Sequence, residues 1–513
     1  MRTSDRRLTR AQFLRAVGGA TGMLAFPRLA SAATGRQPAG HERTTAGAHA
    51  AAARSFQSFR SRPDLRPPIV TVKAGAPNVA TATQPADAEG YLFLAPASGG
   101  GSQSGLMVVD ATGGLVWFRP LASGQRASNF MVQSYRGAPV LTWWEGTVIN
   151  PPGYGRGEGM ILNSSYQEVA RVRAGHGRSA DLHEFQLTPA GTALITCYPP
   201  TSQADLSALG GPNRGPVLES IIQEIDVQTG RVLLDWQSLE HIAVSESYGA
   251  VGGDFDYLHV NSIDVTPDHN LLISARHTWA LYKLERRSGR VIWRMGGKRS
   301  NFRLGPKTRF SWQHDARQPT PDTITLFDDG AGERATESQS RGVVLGVDFR
   351  RRTINLDRAY HHPTPILTYS MGSMQQLSDG NVMVDYGSVP VLSEFSADGA
   401  LISDLQLAAA QASYRGLRFP WSGTPTDLPA VAASSGPTTG TSTLYVSWNG
   451  ATSVASWQVG TGPSPGSLAP GAVTPRDGFE TAITVQSASG YAAVTALDSS
   501  GQPLATSSPV NLP

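Results

Sequence analysis

The chain has 513 residues, 55 of them Gly and 35 Pro, with 40% hydrophobic and 16% charged residues; that length exceeds one small core and fits a large domain with an accessory module. The formal net charge of +3 is concentrated at the start, where residues 1–32 hold six arginines and one aspartate. The remainder is near neutral, which excludes a basic nucleic-acid footprint, and a single cysteine, Cys197, excludes an intrachain disulfide and reads as a buried core thiol.

Residues 1–32 read as an export leader. Arg2, Arg6, Arg7, Arg10 and Arg15 surround or precede the apolar stretch AVGGATGMLAF, which is too short to span a bilayer, and Ala30-Ser31-Ala32 offers small residues for cleavage near Ala32. Thr9 to Arg15 resembles the twin-arginine signal with Ala11 in place of its second arginine, which favours Tat over Sec export. No cysteine follows the cleavage site, so no lipid or other stable membrane anchor is expected, and the mature chain is expected outside the cell or in its envelope. Residues 33–66, rich in Ala, Gly, Arg and Ser, read as a flexible linker.

From residue 67 to 429 one hairpin phrase recurs: VVDATGGLVWF from Val108, ILNSSYQEVARV from Ile161, EIDVQTGRVLLDW from Glu224, KLERRSGRVIWRM from Lys283, GVDFRRRTINLDRAY from Gly346 and EFSADGALISDL from Glu394. Gly, Asn and Asp at the turns supply positive φ, and flanking Val, Ile, Leu and Thr favour extended chain. A second phrase lies between them, as in TPAGTALITCY from Thr188, TPDHNLLISAR from Thr266 and TPDTITLF from Thr320. The period of roughly 50 to 65 residues is nearer to propeller blades than to solenoids. The expected fold class is all-β, a six-bladed β-propeller; an irregular sandwich is the alternative, but sandwiches do not usually repeat one hairpin six times. Residues 430–442 read as a second linker, and the alternating strands of residues 443–513 as a small immunoglobulin or fibronectin-like β-sandwich with Trp448 and Trp457 in its core and Tyr491 as a corner tyrosine.

Three histidines occupy matching places in successive repeats: His183 in HEFQLTP, His259 in HVNSIDVTP and His314 in HDARQPTP. Equivalent positions of neighbouring blades converge on one axis, so these imidazoles are expected to cluster. Their spacing to the Pro-containing turn is unequal, and a one-residue change reverses a strand's facing, so a bulge is required if all three point inward. Asn261, Arg276, Asp315 and Arg317 accompany them, and imidazoles with a guanidinium make a site for sulfate, phosphate or carboxylate.

At these residues, in DYLHVNSIDVTPDHNLLISARHTWALYKLERRSGRVIWRMGG, FSWQHDAR, TLFDDG, SRGVVLGVD and GNVMVDYGSVPVLSEF, the chain resembles the arylsulfotransferase family of exported bacterial propellers, over about Arg62 to Pro420. The resemblance implies a six-bladed propeller that moves a sulfuryl group from a phenolic sulfate ester to a phenol, with no cofactor and no nucleotide sulfate donor. It assigns transient sulfation to His314, the neighbouring pair to His259 and Asn261, the sulfuryl-holding arginine to Arg276 and the remaining active-site histidine to His183. A phosphate loop for a nucleotide is absent, since Gly297-Lys298 is followed by Arg299. The chain lacks the N-terminal sandwich and disulfide of the enterobacterial members and carries a C-terminal module, so dimer architecture and acceptor preference do not transfer.

The residue types suit the chemistry. Negative charge develops on the sulfuryl oxygens and the leaving phenolate, which Arg276 and a protonated histidine stabilise; a neutral imidazole is a competent nucleophile, and His259 or His183 supplies and recovers the phenol's proton. Trp143, Trp144 and Tyr386 are candidates to stack on the aryl ring, with core packing expected for one of the two tryptophans, and Trp312 either lines the pocket or packs beneath His314. Ser340-Arg341 and His361-His362-Pro363 read as exposed turns. Two other classes stay open: a metal-dependent propeller hydrolase or lactonase using Asp254, Asp256, His259 and Asp315, although few carboxylates and many histidines disfavour calcium and no metal is expected; and a non-catalytic cell-surface binding propeller. The expected partners are a small aryl sulfate and a phenol.

Overall fold

The computed structural model describes residues 55–75, 90–151, 153–199, 202–408, 412–487 and 490–513, so the expected leader and most of the first linker lie outside the described residues. The chain is all-β and built from multiple antiparallel sheets. Each of the six hairpin phrases forms an antiparallel pair, from Gly105–Val109 with Leu115–Pro120 to Val391–Phe395 with Leu401–Leu407, and each carries a register shift, close to the turn in five and between Val344 and Leu345, in mid-strand, in the other. Each shift adds local twist to its hairpin.

Inside each hairpin lie two further strands. The innermost ones touch in sequence: Leu417–Phe419 meets Arg126–Tyr135, then follow Ala180–Leu187, Val260–Val265, His314–Thr320 and Ser373–Gln376, which meets Leu417–Phe419 again. The two ends of the strand ring complete each other's sheets, because Val70–Ala74 pairs with Leu401–Leu407 and Leu417–Phe419 pairs with Tyr91–Leu94. Both faces of these sheets are covered. One apolar cluster joins Leu194 and Ile222 to Ile263 and Ile273 of the next sheet, and another joins Leu272 and Leu281 to Ile324 and Leu345.

Three innermost strands bend at their upper ends. Asn129, His259 and Asp315 have φ of +55°, +55° and +52°, and register shifts flank them between Ser128 and Met131, Val260 and Ser262, and His314 and Arg317. A fourth shift, between Ile195 and Cys197, lies opposite His183. These are the bulges that the unequal histidine spacing demands.

Below the bend, Arg415 ties four of the innermost strands together. Its Nη1 donates to Glu184 Oε1 at 2.9 Å and Asn129 Oδ1 at 2.6 Å, its Nη2 donates to Glu184 Oε2 at 3.2 Å and the Asn261 carbonyl at 3.0 Å, and Nε lies 3.2 Å from Asp315 Oδ1. Arg317 completes the network on Glu184 and Asp315. Arg415 and Glu184 are each 1% exposed, so neither charge is solvated by water.

Two expected boundaries change. Residues 430–442 are not a linker: Ala430–Ser435 pairs antiparallel with Thr441–Ser447, and Val431 and Ala433 pack on the apolar cluster that holds Trp448 and Trp457. Small residues made an edge strand look like a spacer. The first linker also ends before residue 66, because Phe59 packs on Phe479 at 4.4 Å, Ser61 bonds Glu480, and Leu65 is buried. The terminal module consists of two antiparallel sheets, one containing Ala430–Ser435, Thr441–Ser447 and Glu480–Gln486, the other centred on Ser456–Ser464 and Tyr491–Leu497. It is clasped to the main body: Asn449 exchanges two hydrogen bonds with the Phe118 backbone, and the Tyr166 hydroxyl donates to the Gly450 carbonyl at 2.8 Å.

Replacing Arg415 with Leu strands the buried Glu184 and Asp315 charges. The expected cost is about 3–5 kcal/mol in chemical denaturation, typical of removing one member of a buried ionic network, and a loss below about 1 kcal/mol would show that the network is not a structural hub.

Candidate active site

Above the Arg415 network the three repeat histidines meet, each with Nδ1 on a carboxylate. Asp181 and His183 share a strand face, being two residues apart, and His183 Nδ1 lies 2.6 Å from Asp181 Oδ2. The left-handed backbone at His259 turns its ring toward Asp256, with Nδ1 to Oδ2 at 2.5 Å. His314 opens its strand opposite the end of Thr323–Asp328, and its Nδ1 lies 2.7 Å from Asp329 Oδ2. The rings of His183 and His259 are edge-to-face at 4.6 Å, and Tyr414 lies edge-on to both His183 and His314, at 5.7 and 6.4 Å. Tyr198 flanks His183 and His259.

A carboxylate on Nδ1 fixes the proton there and leaves Nε2 for a substrate. For His314 the lone pair on Nε2 is doubly assigned, because the Met371 backbone N–H also donates to it, at 3.3 Å. Burial first, then the charges of Arg276 and the other two histidines, hold His314 well below the ordinary histidine value, so its imidazole is neutral. Burial likewise holds His259 well below it. Burial opposes ionisation of Asp181, but the charge and hydrogen bond of His183 outweigh this and its carboxyl falls below the usual range; burial raises Asp256.

Arg276 begins a short 3-10 turn, Arg276–Thr278, that directly follows the strand Leu271–Ala275. Its guanidinium lies over the Trp312 ring at 4.8 Å, Nη1 donates to His277 Nε2 at 2.8 Å and Nη2 donates to the Tyr369 carbonyl at 2.7 Å. Nε is buried without a partner, so one donor stays free for an oxyanion. His277 in turn donates from Nδ1 to the Asp256 carbonyl at 2.5 Å. Burial pushes its imidazole down to about 3, which keeps it a neutral acceptor toward Arg276.

The structure brings His183, His259, His314 and Arg276 together with Asn261, whose side-chain N–H donates to the carbonyl of Gln313, the residue before His314. It does not bring the expected aryl-stacking residues there. Trp143 and Trp144 are 0% and 1% exposed and sit in separate apolar clusters on opposite faces of their strand; their indoles donate to Glu145 and to the Ala180 carbonyl. Alternation sends one each way, and since both faces meet a neighbouring sheet, both are core. Tyr386 is also fully buried, edge-on to Phe327 and His362. Arg317 is committed to Glu184 and Asp315, which makes it a strut and no substrate ligand. Trp312 is buried beneath Arg276, with Gly332 so close that an added Cβ would fall 2.4 Å from the indole.

Asp254 is exposed and Asp315 ion-paired, which disperses the expected metal set; a different trio, Asp256, His259 and His277, has ligand atoms within 4.8 Å of one another. Sequence reasoning missed Asp181, Asp329, His277, Tyr198 and Tyr414, and cast Asp256 only as a metal ligand. D-x-H at Asp181 and D-x-x-H at Asp256 are visible in the sequence, whereas Asp329 reaches His314 only through strand pairing.

Imidazoles held on carboxylates beside a guanidinium with one unused donor form the kind of site a group-transfer enzyme uses for an oxyanion. Residues 131–408 match the family model for arylsulfotransferase (ASST), and the chain belongs to that family. Membership carries a sulfotransferase class of activity on small aryl molecules. No curated protein matches. Among solved structures, a protein of unknown function from Bacteroides caccae is 11% identical, with a TM-score of 0.39 over 64% of this chain and 98% of its own. A periplasmic gluconolactonase from Pseudomonas aeruginosa is 12% identical, with 0.35 over 83% and 97%. A virginiamycin B lyase from Staphylococcus aureus is 8% identical, with 0.30 over 66% and 99%.

His277 positions Arg276, so His277→Ala is expected to raise KM for an aryl sulfate about tenfold, the scale of one charge-assisted hydrogen bond. His277→Gln, which keeps an acceptor, is expected to recover part of that loss in steady-state kinetics.

Proposed function

We propose that this chain is an arylsulfate sulfotransferase, independent of a nucleotide sulfate donor, that works through a sulfated His314 on a six-bladed propeller scaffold. The observation that carries the reading is the neutral His314, with Nδ1 on Asp329, Nε2 accepting from the Met371 N–H, and the ring in the field of the Arg276 guanidinium, whose Nε has no partner. Six bulged hairpins and a closed ring of innermost strands support the blade count. The two-sheet terminal module reads as the immunoglobulin or fibronectin-like appendage, and the leader reads as directing export to the envelope or beyond.

In the first half-reaction His314 Nε2 attacks the sulfur of the donor ester: an N–S bond forms, the S–O(aryl) bond breaks, and the phenolate takes a proton from His183. Asp181, held ionised on His183 Nδ1, stabilises the positive charge on that ring whenever it carries the proton in transit. A phenolate is a poor leaving group without that proton, since phenols ionise near 10. Arg276 carries the sulfuryl oxygens. In the second half-reaction the acceptor phenol returns a proton to His183 as its oxygen attacks the sulfur, and the N–S bond breaks. His259, neutral and held by Asp256, is a further acceptor at the reacting oxygen.

Incubating the protein with 4-nitrophenyl sulfate without acceptor is expected to leave a sulfuryl adduct on the peptide containing His314. His314→Ala is expected to lose both adduct and transfer while keeping the fold; an adduct elsewhere, or undiminished turnover, would falsify the assignment. Because a depressed imidazole takes up its proton only at lower pH, the nucleophile is lost only as pH falls through that lowered value. The acid limb of kcat/KM is therefore expected below 6.5, the ordinary histidine value, and a limb at or above it contradicts a buried neutral His314. A metal-assisted hydrolase is the second reading, favoured by the Asp256, His259 and His277 trio; loss of activity in a chelator with recovery on adding a divalent metal is the outcome that selects it.

A further inference from the structure

One indole away from Arg276 the protein builds a second cationic feature. Trp312, which carries Arg276 on its face, meets Trp279 at 5.4 Å between ring centroids, and Trp279 stacks on Tyr248 at 3.9 Å and 11°. Lys298 Nζ stands 4.9 Å from the Tyr248 ring, and the Arg334 guanidinium 4.8 Å from Trp279 and 5.7 Å from Tyr248. The parts are locked to the site: the Trp312 indole donates to the Arg334 carbonyl, and the Tyr248 N–H donates to the carbonyl of His277. Trp279 itself adopts a left-handed backbone, φ +50°, directly after the turn that presents Arg276.

The cations of this shelf have no carboxylate partner among the described residues. Arg334 is exposed, and Lys298 is held only by the carbonyls of Ser245 and Ser247. Burial and then the charge of Arg334 lower the Lys298 ammonium, as expected where like charges are crowded without an anion. Arg309 adds a third positive charge near Tyr248. The acid of this region, Glu333, lies in the fields of Arg276 and Arg334 without pairing with either, accepts the Ala250 N–H at 3.1 Å, and is raised chiefly by burial. Other arginines, among them Arg60, Arg119 and Arg352, also lie over single rings without a carboxylate partner among the described residues; what sets this shelf apart is that two cations converge on one stacked aromatic pair that Trp312 joins to Arg276.

We propose that Lys298, Tyr248, Trp279 and Arg334 form a subsite for an aryl substrate that carries a second anionic group, a sulfonate, sulfate or carboxylate, about one ring beyond the oxygen that exchanges the sulfuryl group. The proposal rests on the sulfotransferase reading and names its substrate class: acidic, extended phenols in place of small neutral ones. A multi-ring phenol with one end at Arg276 and His314 lays its far anion between Arg334 and Lys298. There the guanidinium takes two oxygens at once and the ammonium acts as a point charge.

The test compares 1-naphthol with 5-hydroxynaphthalene-1-sulfonate as acceptors, with 4-nitrophenyl sulfate as donor. The protein is expected to favour the sulfonated acceptor at least about tenfold in kcat/KM, the scale of one to two charge-assisted contacts. The Lys298→Ala, Arg334→Ala double variant, altered only at exposed side chains, is expected to erase that preference while leaving 1-naphthol turnover unchanged. Equal use of the two acceptors by the unaltered protein, or a preference that survives in the double variant, overturns the subsite. Titration calorimetry with naphthalene-1,5-disulfonate separates this from the activity itself. If no transfer occurs with any acceptor, the sulfotransferase reading fails, whereas binding that weakens about tenfold in the double variant still supports an anion shelf. Unchanged or absent binding removes it.

Discussion

Everything at the reaction centre stands on the buried pairing of Arg415 with Glu184. Arg415 and Glu184 are shut away from water among the innermost strands, where a cation with anions around it satisfies the polar side chains of several strands together. The same contact sets the height of the strands relative to one another. Asn129, Glu184, Asn261 and Asp315 each meet Arg415 from a different strand, so a slip in any one would break the network. The histidines, one bend further along, inherit that register.

The charge pattern is layered. At the bottom, Arg415 and Arg317 are neutralised by Glu184 and Asp315; at the middle, imidazoles are relayed to single carboxylates; at the top, Arg276 and Arg334 lie over aromatic rings with no carboxylate in direct ion pair with them among the described residues. The layers differ in how far water reaches them. A paired ion at the buried base acts as a brace, burial lowers the proton affinity of His259 and His314, and the cations at the exposed end remain open to an anion.

The repeat was legible because hairpin turns and alternating apolar residues announce themselves locally, and all six phrases fold as antiparallel hairpins, five of them with a bulge at the turn. The convergence of His183, His259 and His314 was legible for the same reason: like positions of a repeat meet. Trp143 and Trp144 show where this reasoning stops. Counting alternate residues assigns them to opposite faces but cannot say that each face is covered by another sheet. Asp329 and Tyr414 reach the site through pairing and packing over long separations in sequence, with no local spacing to betray them. The strand Ala430–Ser435 was hidden for a third reason, since small residues at an edge carry little apolar signal.

The two ends of the strand ring each complete the sheet that the other begins, with Val70–Ala74 beside Leu401–Leu407 and Leu417–Phe419 beside Tyr91–Leu94. During synthesis the ring thus stays open until its last strand leaves the ribosome, and the apolar edges of the first sheet wait unpaired for some three hundred residues of translation. Folding is in this sense a matter of timing: a chaperone or a translocation apparatus that engages the chain before closure meets a sticky, incomplete crescent, and one that engages it afterwards meets a sealed body.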